Sequence, residues 1–133
     1  ATGPETGFGK YDTARLYWSP FTTDPAAVAV SEGPDLTGYV LGGLELVVAD
    51  DYVAVNGVDQ DAWLGGVLVV RRSTLERWFI PPRPGTFLIP VAISPTEILA
   101  TETEEASHPA NFDRYLRLEL AELDSLAQGW PAP

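Results

Sequence analysis

The chain has 133 residues, of which 45% are hydrophobic, contains no cysteine and carries a formal net charge of −11. This length is typical of a single domain that buries roughly two-thirds of its surface on folding, and the lack of cysteine excludes disulfide scaffolds, thiol nucleophiles and cysteine-ligated zinc. The charge argues against nucleic acid, whose binders need Lys and Arg to displace counterions from phosphates, and against an anionic membrane surface.

The N-terminal segment is rich in Gly, Thr and Pro without periodicity, which predicts a flexible arm over residues 1–13. Residues 14–133 are then predicted to form a single domain. Runs of β-branched and aromatic residues predict strands at 15–18, 26–31, 39–48, 52–55, 63–70, 75–80 and 86–93. A turn is predicted at 32–35, between the second and third of these strands.

Glycine, asparagine and proline mark special positions in the predicted sheet. Asn56-Gly57 is the strongest hairpin signal, because both residues tolerate the positive φ of a type I′ turn. The paired glycines at 42–43 and 65–66 predict a sharp bend or a close backbone approach, as in a curled sheet. Pro90 lacks an N–H group, so we expect it at a sheet edge or a bulge.

After residue 93 the hydrophobic period changes. Ser94 to Glu97 has the pattern of a helix capping box, which predicts a short helix to about Glu105. Apolar residues then recur at spacings of three or four and predict a second helix, ended by Gly129. These residues are Phe112, Leu116, Leu120, Leu123 and Ala127. The predicted fold class is α+β: a bent antiparallel sheet or partly closed small β-barrel followed by two C-terminal helices.

The sequence contains one candidate for catalysis and one set of candidates for metal binding. His108 is the single histidine, and a hydrolytic triad would have to include it. It lies in the predicted turn between the helices, where a solvent-facing or capping role is favoured, and we predict no catalytic residue.

Four aspartates surround the central hairpin: Asp50, Asp51, Asp59 and Asp61. Such oxygen ligands can bind calcium or magnesium. Their spacing is not that of an EF-hand loop, so turn formation is favoured and no metal is predicted.

Residues 71–83 form a basic segment in an otherwise acidic chain, with four arginines and one glutamate. Arginine and aromatic side chains are favoured at protein interfaces. The candidate binding residues are therefore Arg71, Arg72, Arg77, Arg83, Trp78 and Phe79. The alternative is that these arginines pair internally with the acidic C-terminal segment, 97–124.

The sequence favours a non-catalytic acidic protein-binding module: an inhibitor or immunity-type protein, or a subunit of a larger assembly. The expected partner is another protein with a basic surface, and neither nucleic acid nor a membrane. The alternative is a small enzyme or ligand-binding protein whose bent sheet encloses a pocket lined by some of Trp18, Trp63, Trp78 and the tyrosines. A few residues resemble small bacterial toxin-immunity proteins, but they form no motif and we assign no family.

The composition also bears on the source and the location. One lysine against seven arginines, with many Ala, Gly, Pro, Val and Leu, is typical of a GC-rich bacterial genome. No apolar stretch approaches the roughly 18–20 residues of a membrane span, and the first residues lack a signal-peptide pattern. We predict a soluble cytoplasmic protein, with export after removal of a leader as the alternative.

Overall fold

A computed structural model describes residues 5–6, 10–11, 15–19, 23–24, 26, 29–104 and 112–129. This part of the chain is mostly β-structure. The strands are β1 (Glu5–Thr6), β2 (Lys10–Tyr11), β3 (Arg15–Trp18), β4 (Ser31–Asp35), β5 (Tyr39–Val48), β6 (Tyr52–Asp59), β7 (Gly65–Arg71), β8 (Glu76–Ile80), β9 (Thr86–Ile93), β10 (Glu97–Glu104) and β11 (Phe112–Glu119). A 3-10 turn, Leu120–Glu122, leads into the short helix α1, Leu123–Ala127.

Two antiparallel sheets form the body of the fold. One has the strand order β5-β6-β7-β8 and the other has the order β11-β10-β9. Strand β9 packs against β5, β6 and β7, so apolar side chains from both sheets meet in one core. The buried core residues are Ala54, Val67, Val69, Ile80, Leu88, Ile98, Ala100, Leu118, Leu120 and Leu123. Full burial of a large aliphatic side chain contributes roughly 1.5–3 kcal/mol, so this cluster is the main source of stability.

The four-stranded sheet is strongly curled. Tyr39 lies on β5 and Phe79 on β8, at opposite edges of the sheet, yet their ring centroids are 5.0 Å apart. In a flat sheet, three strand spacings would separate these edges by about 14 Å. Gly57 and Gly66 face each other on β6 and β7, and a Cβ on Gly66 would lie 2.9 Å from Cζ of Phe79. The close backbone approach predicted at 65–66 is therefore confirmed.

The predicted pair of C-terminal helices is wrong, and the fold is β-rich instead of α+β. The segments expected to be helical are β10 and β11, which pair antiparallel along their length. A spacing of four residues fits a period of 2 as well as one of 3.6. On β11 the side chain of Leu118 is buried, whereas those of Tyr115 and Arg117 are exposed, and this alternation is that of a strand. The final stop at Gly129, with φ of 109°, is confirmed.

The predicted capping box forms a tight turn between β9 and β10. Ser94 Oγ accepts hydrogen bonds from the backbone N–H groups of Thr96 at 3.2 Å and Glu97 at 3.1 Å. The N–H of Ser94 donates to the carbonyl oxygen of Glu97 at 2.8 Å, which closes the turn. A serine that bonds the N–H three residues ahead serves a hairpin turn as well as a helix start. The helix prediction here is wrong because this bond is common to both.

Two turn predictions are also wrong. Asn56 and Gly57 lie inside β6, where Asn56 pairs with Val67, and the chain turns instead at 59–64. Gly57 serves close packing at this position, since a Cβ would lie 2.5 Å from Cδ1 of Leu68. The predicted turn at 32–35 lies within strand β4.

Pro90 lies where the sequence predicted. Strand β9 pairs with β10 alone in the described part of its sheet. Ala100 pairs with Pro90 and Leu99 with Ala92, so Val91 is an extra residue that forms a bulge. Both predicted settings, an edge strand and a bulge, are confirmed.

Some predictions fall beyond the described residues. The predicted arm over 1–13 lies largely outside them, and His108 lies wholly outside them. The predicted strand over 26–31 is wrong in its described part, because residues 26, 29 and 30 are not in a strand and β4 begins only at Ser31. Within the described residues, no helix has the length and apolar character needed to span a membrane.

Candidate protein-binding surface

Arg71 and Arg72 hold the turn between β5 and β6. Nε of Arg71 donates to Oδ2 of Asp51 at 2.8 Å, and its guanidinium lies 5.7 Å from the ring centroid of Tyr52. Arg72 donates to the carbonyl oxygens of Ala49, at 2.9 Å, and Asp50. Both arginines are half-buried. Both guanidinium groups therefore form hydrogen bonds within the chain.

The Asp51 contacts predict a pH dependence. Its carboxylate accepts from Arg71 and from the N–H and Oγ of Ser73, and these bonds, led by that of Arg71, lower the pKa of Asp51 below its ordinary value. A lowered pKa stabilises the fold above the unfolded-state value of about 4, and the contribution is lost as pH falls through the folded-state value. We expect the urea midpoint of the native chain to exceed that of Asp51→Asn at pH 7, and the difference to shrink towards pH 2. A difference independent of pH would contradict this.

Arg83 takes part in a buried ion cluster. Glu102 is 3% exposed and lies on β10. Its carboxylate accepts from Nε of Arg83 at 2.7 Å and from Nε of Arg114 on β11 at 2.8 Å. The bond to Glu102 raises the pKa of Arg83. This arginine pairs with the acidic C-terminal segment, as the alternative interpretation expected, but the segment is a strand here.

The aromatic members of the basic segment lie on opposite faces of β8. Trp78 donates from Nε1 to Oδ1 of Asp124 at 2.8 Å and packs against the main core. Phe79 points to the other face and packs on Tyr39. Arg77 is exposed. The six predicted residues thus lie at the end of β7, in the turn after it, on both faces of β8 and in the loop before β9, so the structure does not bring them together on one face. Their role in binding stays a prediction.

The tryptophans named for a ligand pocket lie in separate places. Trp18 packs beside Gly33 in the β3–β4 pair, Trp63 lies in the turn after β6, and Trp78 lies on β8. Two open hollows formed by described residues, of about 240 and 420 Å³, have no tryptophan among the residues that line them. The pocket alternative therefore gains no support from the placement of these side chains.

The four aspartates around the central hairpin are also separated. Asp50 and Asp51 precede β6, whereas Asp59 is its last residue and Asp61 follows it. Asp59 Oδ1 accepts from the N–H groups of Asp61 at 2.8 Å and Ala62 at 3.1 Å, as a turn-forming aspartate does. Among the described residues, no group of three or more His, Cys, Asp or Glu side chains is placed to hold a metal ion.

Trp63 is a binding candidate whose setting the sequence did not reveal. Its φ is 56°, in the left-handed region, and its side chain is 51% exposed. The turn is fixed by hydrogen bonds from the N–H of Trp63 to the carbonyl oxygen of Asp59 at 2.7 Å and from the N–H of Asp59 to that of Leu64 at 3.0 Å. A non-glycine residue held in this region costs about 1–3 kcal/mol. In the sequence, the turn-forming Asp59 was the signal that could have indicated this setting, because Trp63 follows it by four residues and so lies at the end of the turn.

Acidic side chains surround this turn. Asp59 pairs with Tyr39 at the start of β5, and burial and then the charge of Asp59 raise the pKa of Tyr39. The N–H of Gln60 donates to the carbonyl oxygen of Gly38 at 2.8 Å, which joins the turn to the loop after Asp35. Asp61 is exposed beside Trp63. At this end of the curled sheet an exposed indole therefore lies in the same turn as two aspartates, and the positive charge of Arg77 also acts on Tyr39 there.

The functional interpretation depends on this geometry. An exposed indole, an exposed carboxylate and a rigid turn are features that a protein partner can contact. They are not features that by themselves perform a reaction. Comparison of the chain with models of protein families, with curated proteins and with solved structures found no match.

Proposed function

We propose that this chain is a non-catalytic acidic protein-binding module, an inhibitor or immunity-type protein or a subunit of an assembly, whose partner presents a basic surface. The observation that carries the proposal is the way the charges are distributed. The net charge is −11, and most of the described arginines are in ion pairs within the chain. The pairs leave the net charge at −11, and few arginines remain to oppose the other carboxylates at the surface.

The ion pairs join each arginine to a nearby carboxylate. They are Arg15–Glu32, Arg71–Asp51, Arg83–Glu102, Arg114–Glu102 and Arg117–Glu97. Exposed carboxylates such as those of Asp50, Asp61 and Glu104 have no ion pair within the described residues. Carboxylates left in this way produce a negative field that attracts a basic protein and accelerates its association.

The salt dependence of association tests this proposal. The tagged chain is captured from its native host, a stoichiometric partner is identified and purified, and the complex is formed again from the two pure proteins. Because electrostatic attraction is screened beyond about 10 Å at 0.1 M salt, we expect the association rate constant to fall at least about tenfold between 0.02 and 0.5 M NaCl. The dissociation rate should change much less.

Two results would count against the proposal. One is that no protein co-purifies in a fixed ratio with the chain from its host. The other is an association rate that does not depend on salt. The control is a variant in which Asp50 and Asp61 are both replaced by asparagine, which should reduce the salt dependence without unfolding the chain, since both side chains are exposed.

A further inference from the structure

We propose that Trp63 is the residue that anchors the partner, by stacking its indole on an arginine of a basic protein surface while Asp61 binds the same guanidinium. This inference rests on the proposed function and assigns its contact site. Tryptophan is among the residues that contribute most to protein interfaces, and arginine stacks on indole rings more often than lysine does. The exposed carboxylate of Asp61 is two residues away in the same turn.

The backbone at Trp63 is the first argument. Trp63 and Leu75 are the described non-glycine residues with positive φ, at 56° and 61°. Turn positions of this kind are usually filled by Gly, Asn or Asp, which adopt the left-handed region at little cost. A large apolar side chain is unfavourable there for folding, and 51% of the Trp63 side chain is exposed. A contact with another molecule would account for the choice of this residue.

Charge complementarity is the second argument, and it separates the two positions. Trp63 follows Asp59 and Asp61, at the end of the sheet where the loop after Asp35 also lies. Leu75 follows Arg71 and Arg72 at the opposite end. The turn of Trp63 holds two aspartates and no arginine, whereas at Leu75 the carboxylates of Asp51 and Glu76 lie close to Arg71 and Arg72, so the first setting attracts a cation more strongly. Leu75 therefore provides a matched control, with the same backbone strain and similar exposure, 45%.

The experiment compares Trp63→Gly with Leu75→Gly. Synthetic octa-arginine and octa-lysine peptides are titrated into ¹⁵N-labelled chain at 20 mM salt and followed by NMR. We expect the amide shifts caused by octa-arginine to concentrate in residues 59–64. Trp63→Gly should weaken octa-arginine binding by about 3- to 10-fold and affect octa-lysine less, whereas Leu75→Gly should leave both unchanged. The same Trp63 substitution should weaken the native complex.

The stability of the variants makes the result interpretable. Glycine removes the strain at position 63, so the thermal midpoint of Trp63→Gly should not fall, and loss of binding cannot be ascribed to unfolding. Equal binding by the native chain and Trp63→Gly would overturn the inference. Shifts spread evenly over the acidic surface would also overturn it, and would leave the proposed function in place. Failure of the proposed function shows separately, as a salt-independent or missing native complex.

Discussion

Gly66→Ala is expected to lower the free energy of unfolding by about 3 kcal/mol or more, which is at the upper end for insertion of one methyl group into a packed interior. A Cβ at this position would overlap the backbone carbonyl oxygen of Ile80 and would lie 2.9 Å from Cζ of Phe79. A flexible side chain could move aside, but the carbonyl belongs to β8, which pairs with β7. The two strands would have to move apart, which would break the hydrogen bonds between them. Urea denaturation of both proteins measures the difference.

The adjacent glycine is the control for this experiment. A Cβ on Gly65 would meet Cβ of Phe87 at 3.2 Å, a tight contact that a small shift can relieve. We expect Gly65→Ala, which is the same chemical change one residue away, to lower the free energy of unfolding by about 1 kcal/mol. Similar losses at the two positions would show that strand propensity, and not the approach of β8, determines the effect. A loss below about 1 kcal/mol at Gly66 would contradict the packing described here.

Glu102→Gln is expected to have the second largest effect, a loss of about 2–3 kcal/mol. Removal of one member of a buried ion pair costs about 3–5 kcal/mol when the other is left buried. Here Arg83 and Arg114 have 39% and 48% of their side chains exposed, so water can solvate them in part and the loss is smaller. Glutamine keeps the shape of the side chain and removes its charge. Chemical denaturation at pH 7 measures the change.

Glu97→Gln provides a matched control on the same strand. Glu97 also pairs with an arginine of β11, since Arg117 donates to it at 2.9 Å. Arg117 is 74% exposed, and a pair of this kind contributes about 0–1 kcal/mol. We expect the substitution at position 102 to be clearly more destabilising than the one at 97. Equal effects would show that the burial of Glu102 does not strengthen its cluster.

The sequence predicted several strands because the residues that favour them lie within the strands themselves and the turns that end them. The strand predictions for Arg15–Trp18 and Thr86–Ile93 agree with the structure in their bounds, since both segments are rich in β-branched or aromatic residues and end at turn-forming residues. Pro90 was placed correctly for the same reason, because its missing N–H group restricts it wherever it occurs. Such features do not depend on what the segment packs against.

The C-terminal strands could not be predicted in this way. Between Phe112 and Leu120 the apolar residues fit a helix and a strand equally, and the choice is made by β10, which pairs with this segment. Asn56 and Gly57 failed for a related reason. Both residues do tolerate a turn, but in the folded chain Leu68 packs into the space that a side chain on Gly57 would occupy. Local propensity was overridden by tertiary contacts in both places.

The candidate site was the hardest part to predict. The sequence shows four arginines close together, but it does not show that Glu102 is buried beneath Arg83 or that the carbonyl of Ala49 lies within reach of Arg72. Trp63 was visible only as one of several tryptophans. Its exposure and its φ of 56° are properties of the folded turn, and no spacing in the sequence encodes them.

The order of strands in the two large sheets has a consequence for how the chain folds. In both sheets, each strand pairs with its neighbour in sequence, so β5 to β8 and β9 to β11 are simple meanders. Loop closure between sequence neighbours loses little conformational entropy, and chains with local pairings fold faster than β-proteins of crossed topology. The two meanders can therefore form as separate units. We expect the slow step to be the docking of β9 on β5, β6 and β7, which completes the core.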